Sequence, residues 1–184
     1  MPWERFTDAR IPHSFEIPPE WSVSELNASD EMGIYQFAVL NPEGQQKLVF
    51  ANTVQGLGGA CGELPAMTIE ELDSQPVEIP GYVAAPDGVS ELVPPRIVFR
   101  AATVEEGVIA SLALADDVPP NSCMYYNLMH AATGLTLFAD RMQVDTYDPH
   151  SQRLFASMDE ARAFTQTEEY AQLVRILASL QIAA

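Results

Sequence analysis

The chain has 184 residues, 47% of them hydrophobic, with 26 Asp and Glu against nine Lys and Arg, for a formal net charge of −17. That is the size of one domain with enough apolar surface to build a core, which argues against a disordered chain. A balance this acidic repels phosphates, so nucleic acid and anionic membrane surfaces are set aside as partners, while a protein partner, attracted by the acidic surface, stays open beside mere solubility.

The first dozen residues read as an N-terminal arm to a single α+β domain spanning 1–184. No apolar run approaches the roughly 18 residues of a membrane-spanning helix, and the stretch 1–12 has no apolar core of a signal peptide. As it stands the chain reads as cytoplasmic; one exported or lipid-anchored before losing its signal would read the same. Phe15 and Ile17 alternate with polar neighbours as a short strand that Pro18 and Pro19 end, since neither donates a ladder hydrogen bond. Trp21 re-enters the core and opens an extended segment, and 27–31 is a polar turn. Tyr35, Phe37 and Val39 share one face of a strand over 34–40; Asn41-Pro-Glu-Gly is turn chemistry, and 47–54 returns as the second arm of a hairpin.

Gly56-Leu-Gly-Gly-Ala-Cys-Gly is a flexible loop. Thr68 and Glu71 have the spacing of a capping box, which predicts a short helix ending near Leu72. The stretch from Asp73 to Pro95 holds five prolines and reads as an irregular crossing with one short strand near 77–79. Long strands follow over 97–103, 108–115, 124–131 and 135–144, with gaps so short that neighbours must be antiparallel. The C-terminal third is helical: Ser157 with Glu160 forms a second capping box, and Thr165 with Glu168 marks a break or kink. Leu173, Ile176, Leu177 and Leu180 then recur at helical spacing, a stripe that must cover the sheet.

The chemistry is sparse. The Gly56–Gly62 loop can present backbone N–H groups to an anion, but lacks the Lys-Ser/Thr of a Walker sequence and the GxGxxG pattern. Cys61 within it would be a nucleophile only beside a base, and His13, His130 and His150 are the histidines available. Cys61 and Cys123 have no CxxC spacing and no zinc-site pattern; they are a single disulfide in an exported chain or two small buried hydrophobes in a cytoplasmic one. Asp145, Asp148 and His150 fall within six residues but lack the further oxygens and the glycine of a calcium loop, and read as a polar turn. Arg96 and Arg100 share one strand face; with Arg141 they make either an anion pocket or a set of counter-ions for neighbouring carboxylates. Tyr125 and Tyr126 read as sheet surface, one facing in and one out. No Ser-His-Asp order, HExxH or GxSxG occurs, and no cofactor site is indicated.

The opening Ile17-Pro-Pro-Glu-Trp-Ser-Val, the antiparallel sheet after it and the closing Glu169-Tyr-Ala-Gln-Leu-Val-Arg-Ile-Leu-Ala-Ser-Leu resemble the PsbP-like superfamily. That superfamily contains a photosystem II extrinsic subunit, a Ran-binding nuclear-import factor and many bacterial proteins. The resemblance implies an α/β/α sandwich around an antiparallel sheet, and interaction or scaffold work in place of catalysis. The leading expectation is a noncatalytic accessory domain that meets a protein partner. The alternative is a small-molecule binder or hydrolase that uses the Gly56–Gly62 loop with Cys61 or His130.

Overall fold

The computed structural model describes residues 1–59, 61–86 and 91–184. Its fourteen strands are β1 (Glu4–Thr7), β2 (His13–Ile17), β3 (Ser22–Ser29), β4 (Ile34–Leu40), β5 (Gln46–Ala51), β6 (Ile69–Pro76), β7 (Leu92–Val104), β8 (Gly107–Asp117), β9 (Met124–Tyr126), β10 (Met129–Ala131), β11 (Gly134–Ala139), β12 (Gln143–Asp145), β13 (Arg153–Phe155) and β14 (Gln181–Ile182). The helices are α1 (Met158–Phe164) and α2 (Glu168–Ala178). The main sheet runs in the order β3-β4-β5-β11-β8-β7-β6, with β10 on β11 and β13 on β8. Every strand pair among the described residues is antiparallel, and the fold class is α+β.

Alternation along the strands gives the sheet two different faces. Leu48, Phe50, Ile97, Phe99, Leu112, Leu114 and Phe138 point to one side, where Ala161, Tyr170, Leu173, Ile176 and Leu177 of the helices join them in the main core. Val49, Ala51, Ala113, Leu137 and Ala139 point to the other, under Leu128 and Leu57. Ala102 and Ile109 lie beneath Tyr125, Val144 and Met67 on that same side. Both described helices therefore cover one face, and the β9–β12 ribbon with the chain around 54–67 covers the other. The predicted stripe after Tyr170 is the buried side of α2. No helix among the described residues is long and apolar enough to cross a membrane.

Several elements differ from expectation. The expected N-terminal arm includes β1, because Phe6 lies opposite Phe15 and its ring packs 5.1 Å from Phe15 and 5.0 Å from Phe37. The extended segment after Trp21 runs through the expected turn to Ser29 by way of a bulge between Glu25 and Asn27. The short helix predicted from Thr68 is a strand instead: β6 pairs with β7 along Arg96–Ala102, and the Ile69 N–H donates to Asn121 Oδ1 at 3.0 Å. One helical turn is unfavourable to nucleate, whereas the long β7 offers a ready edge, and a bulge at Leu72 turns that side chain to the core. The strand expected near 77–79 does not form; β6 ends before it, at Pro76. The long strands over 124–131 and 135–144 each break in two. Asn127 and Asp140 turn their side chains to backbone partners, Arg141 O and Leu112 N, at the breaks. The C-terminal break falls between α1 and α2, with Thr167, not Thr165, capping α2 through a bond from Tyr170 N.

The chain ends meet in a separate small sheet, β1-β2-β14. Ile182 N donates to Pro80 O at 2.8 Å. Gly81, at φ +84°, lies so close that a Cβ there would overlap the Ile182 carbonyl. Both the left-handed backbone and the close approach demand glycine. Gly81→Ala is expected to lower stability by about 2 kcal/mol, read by urea unfolding, and to release the C-terminal strand in hydrogen exchange.

His13 on β2 is 2% exposed, packs 5.2 Å from the Phe50 ring, and has neither ring nitrogen hydrogen-bonded. Burial pulls its pKa from 6.5 down to about 4. The unfolded chain takes up the proton first, so this site's stability is full above pH 6.5 and drains as pH falls toward 4, by roughly 3 kcal/mol in all. Chemical unfolding at pH 7.5 and 4.5 should show that loss in the wild type and a smaller one in His13→Phe.

Candidate functional site

The end of β8 brings consecutive carboxylates, Asp116 and Asp117, to opposite faces of the sheet. Asp116 is fully buried and accepts three hydrogen bonds. They come from the His130 N–H at 2.7 Å, the Tyr82 hydroxyl at 2.8 Å and His130 Nδ1 at 2.9 Å, with the ring nitrogen acting as donor in this arrangement. Burial, reinforced by Asp116, pushes the Tyr82 phenol well above its ordinary value. Asp117 faces Arg100, whose Nη2 donates to the Asp117 carbonyl at 2.8 Å and to its Oδ1 at 3.3 Å. Burial raises the Asp117 carboxyl, and the charges of Arg100 and His130 work against that rise.

Arg100 is the largest fully buried side chain described. Period two along β7 aims it, like Arg96, at the face away from the helices. There it reaches Asn127 Oδ1 at 3.4 Å and lies 5.6 Å from the centre of the Tyr125 ring. Tyr125 is itself buried, its hydroxyl 2.8 Å from Ser111 Oγ, and burial pushes its pKa up to about 12. Arg96 Nη2 donates to the same Asp117 carbonyl at 3.1 Å, and Arg96 Nη1 meets Glu71 at 2.7 Å.

Above this polar floor lies a cavity of about 550 Å³, with Leu57, Val118, Met124, Tyr126, Leu128 and Leu135 among its walls, together with the carboxylates Asp117 and Glu91 and the imidazole of His130. Its volume and mostly apolar lining with a few convergent polar groups are those of ligand pockets. The disulfide Cys61–Cys123 stands at its side, with Cα atoms 5.7 Å apart. It ties the glycine loop to the segment entering β9, and the Tyr126 hydroxyl adds a bond to Gly58 O at 2.8 Å.

The sequence candidates thus fall in two places. Leu57 of the glycine loop and His130 line the cavity, whereas Arg96 and Arg100 meet it only through Asp117 and Cys61 only through Ser122. Cys61 is no free thiol, because its sulfur is bonded to Cys123, so it supplies no nucleophile. Arg141 does not join Arg96 and Arg100; only its carbonyl touches their network, through Asn127, and its guanidinium points to Gln143 and Ser151. Arg96 and Arg100 are engaged with Glu71 and Asp117 as counter-ions. The described residues hold no group of three or more His, Cys, Asp and Glu suited to a metal ion, and Asp145 is occupied by Gln143, Gln152 and the Tyr147 N–H. The contributions of Asp116 and Tyr82 were not legible beforehand: both are ordinary residues of a strand end and a proline-rich crossing. No family model, curated protein or solved structure matches the chain.

Proposed function

We propose that this chain is a noncatalytic binding protein of PsbP-like fold that holds an apolar side chain of a basic partner protein in the cavity beside Cys61–Cys123. The observation that carries this reading is the division of the cavity. Its walls are apolar and aromatic, while Asp117 is engaged by Arg100 and Asp116 by His130. Such a site is built to bury a group rather than to attack one. The charge of −17 and the carboxylates at the wall favour a cationic flank on the partner. The disulfide supports a working place outside the reducing cytoplasm. An antiparallel sheet with the C-terminal helix laid across one face supports the PsbP-like reading, while the other face departs from an α/β/α sandwich, being covered among the described residues by β9, β12 and the chain near Leu57.

Selection from a random peptide display library tests this directly. Enriched peptides should carry a large apolar residue flanked by Lys or Arg, and should lose at least tenfold in affinity for Leu135→Trp, which fills the cavity. Enrichment of acidic peptides, or equal binding to the filled variant, would refute the reading.

A second reading is favoured by the 2.9 Å contact of His130 Nδ1 with Asp116, since a carboxylate that orients an imidazole is half of an acyl-transfer machine. It makes the protein a hydrolase with His130 as general base. Ester turnover that disappears in His130→Gln would select it over the first.

A further inference from the structure

A second cleft, of about 240 Å³, opens where β11 leaves the edge of β8 and β13 takes its place. It gathers Lys47, Arg141 and Arg153, three of the nine basic residues of the chain and its one lysine. Asp140 is the acidic residue of its wall. That carboxylate is 7% exposed and doubly engaged, accepting from Leu112 N–H at 3.0 Å and from Arg153 Nε at 3.0 Å. Burial raises its pKa, while the charges of Arg153 and Arg141 oppose the rise. Lys47 Nζ meets Glu169 at 2.6 Å.

Arg141 is different. Its guanidinium donates to Gln143 O and Ser151 O, each at 2.7 Å, and to Ser151 Oγ at 3.3 Å. All three acceptors are neutral, so its charge is oriented by them without an ion pair and reaches Asp140 only at longer range. Among the described residues no carboxylate is paired with it, in a protein with nearly three acids for every base. Gln152, on the same wall, has its Nε2 tied to Asp145 while its Oε1 is buried with no donor. An oriented cation beside an unsatisfied acceptor asks for a ligand that brings negative oxygen and an O–H together.

We propose that this cleft binds hydrogen phosphate, with Arg141 and Lys47 holding its charged oxygens and Gln152 Oε1 accepting from its hydroxyl. Sulfate has the same shape and charge but no proton at neutral pH, so it leaves that acceptor unpaired.

Calorimetric titration of the whole protein with sodium phosphate and with sodium sulfate, at pH 7.5 and constant ionic strength, tests this. Phosphate should bind roughly tenfold or more tightly than sulfate, and both Arg141→Gln and Lys47→Gln should weaken it by about tenfold. Lys47 is partly exposed at the sheet surface, so its variant remains informative if loss of Arg141 disturbs the fold. Absence of phosphate binding, equal binding of the two anions, or an unchanged affinity in Lys47→Gln would overturn the proposal. None of these outcomes bears on the cavity at the disulfide.

Discussion

Replacing Arg100 by leucine is expected to cost about 3–5 kcal/mol of stability, because it leaves a charge and an amide in the protein interior without their partner. Arg100 is fully buried and holds the Asp117 carbonyl, the Asp117 carboxylate and the Asn127 amide oxygen at once. Burial already lifts the Asp117 carboxyl, and removing the guanidinium lifts it further. A carboxyl whose folded pKa lies above its unfolded value stabilises the fold at low pH and loses that contribution as pH rises through the folded pKa. Arg100→Leu should therefore be weaker at pH 8 than at pH 5, the reverse of the dependence set by His13. Adding Asp117→Asn should recover a substantial part of the loss, since the unpaired charge is then gone. Denaturant titrations of the two variants at both pH values provide the check; a single variant within 1 kcal/mol of wild type would show that the pair contributes little to stability.

Reducing Cys61–Cys123 is expected to cost a similar amount. The bridge joins residues 62 apart in sequence, and closing a loop of that length removes about 4 kcal/mol of chain entropy from the unfolded state. For a domain of this size that corresponds to a fall in Tm of roughly 8–16 °C. Reductant should lower the Tm of the wild type by that order, and Cys61→Ser/Cys123→Ser should already be low and indifferent to reductant. The same treatment frees the chain bearing Leu57 and Gly58 from the β9 segment, so a ligand of the cavity should bind more weakly to the reduced protein. A wild type that keeps its Tm while titrating for two thiols would remove the bridge from any structural role.

The elements that the sequence predicted well are those fixed by local pattern. The Asn41–Gly44 turn closes as expected, with Asn41 Oδ1 accepting from Glu43 and Gln45 N–H groups. The buried stripe of α2 follows its 3.6-residue spacing, and Ser157 caps α1. What failed were cases in which a distant partner outweighed a local signal. Thr68 and Glu71 carry a valid helix-start spacing, yet β7 lies alongside and claims the segment as a strand. Phe6 has no periodic neighbours to announce β1, only Phe15 and Phe37 to pack against. At the site, the residue types were visible but their grouping was not. Arg96 and Arg100 are linked by strand period alone, whereas His130 meets Asp116, and Cys61 meets Cys123, through three-dimensional closure that spacing does not encode. Arg141 shows the converse: its residue type was visible, but its placement just past β11 sets its guanidinium on Gln143 and Ser151, away from Arg96 and Arg100.

The β1-β2-β14 sheet has a kinetic implication. Ser14 is paired with Gln181, so a structure begun along β2 stays open on that side until the chain has been made through Ile182. A partially synthesised chain has no way to bury Phe15 and His13 in their final setting, and pairing across so much sequence is slow. Synthesis of β2 and completion of its pairing are therefore separated by the time needed to make the intervening residues, and over that interval the strand is held on one side only.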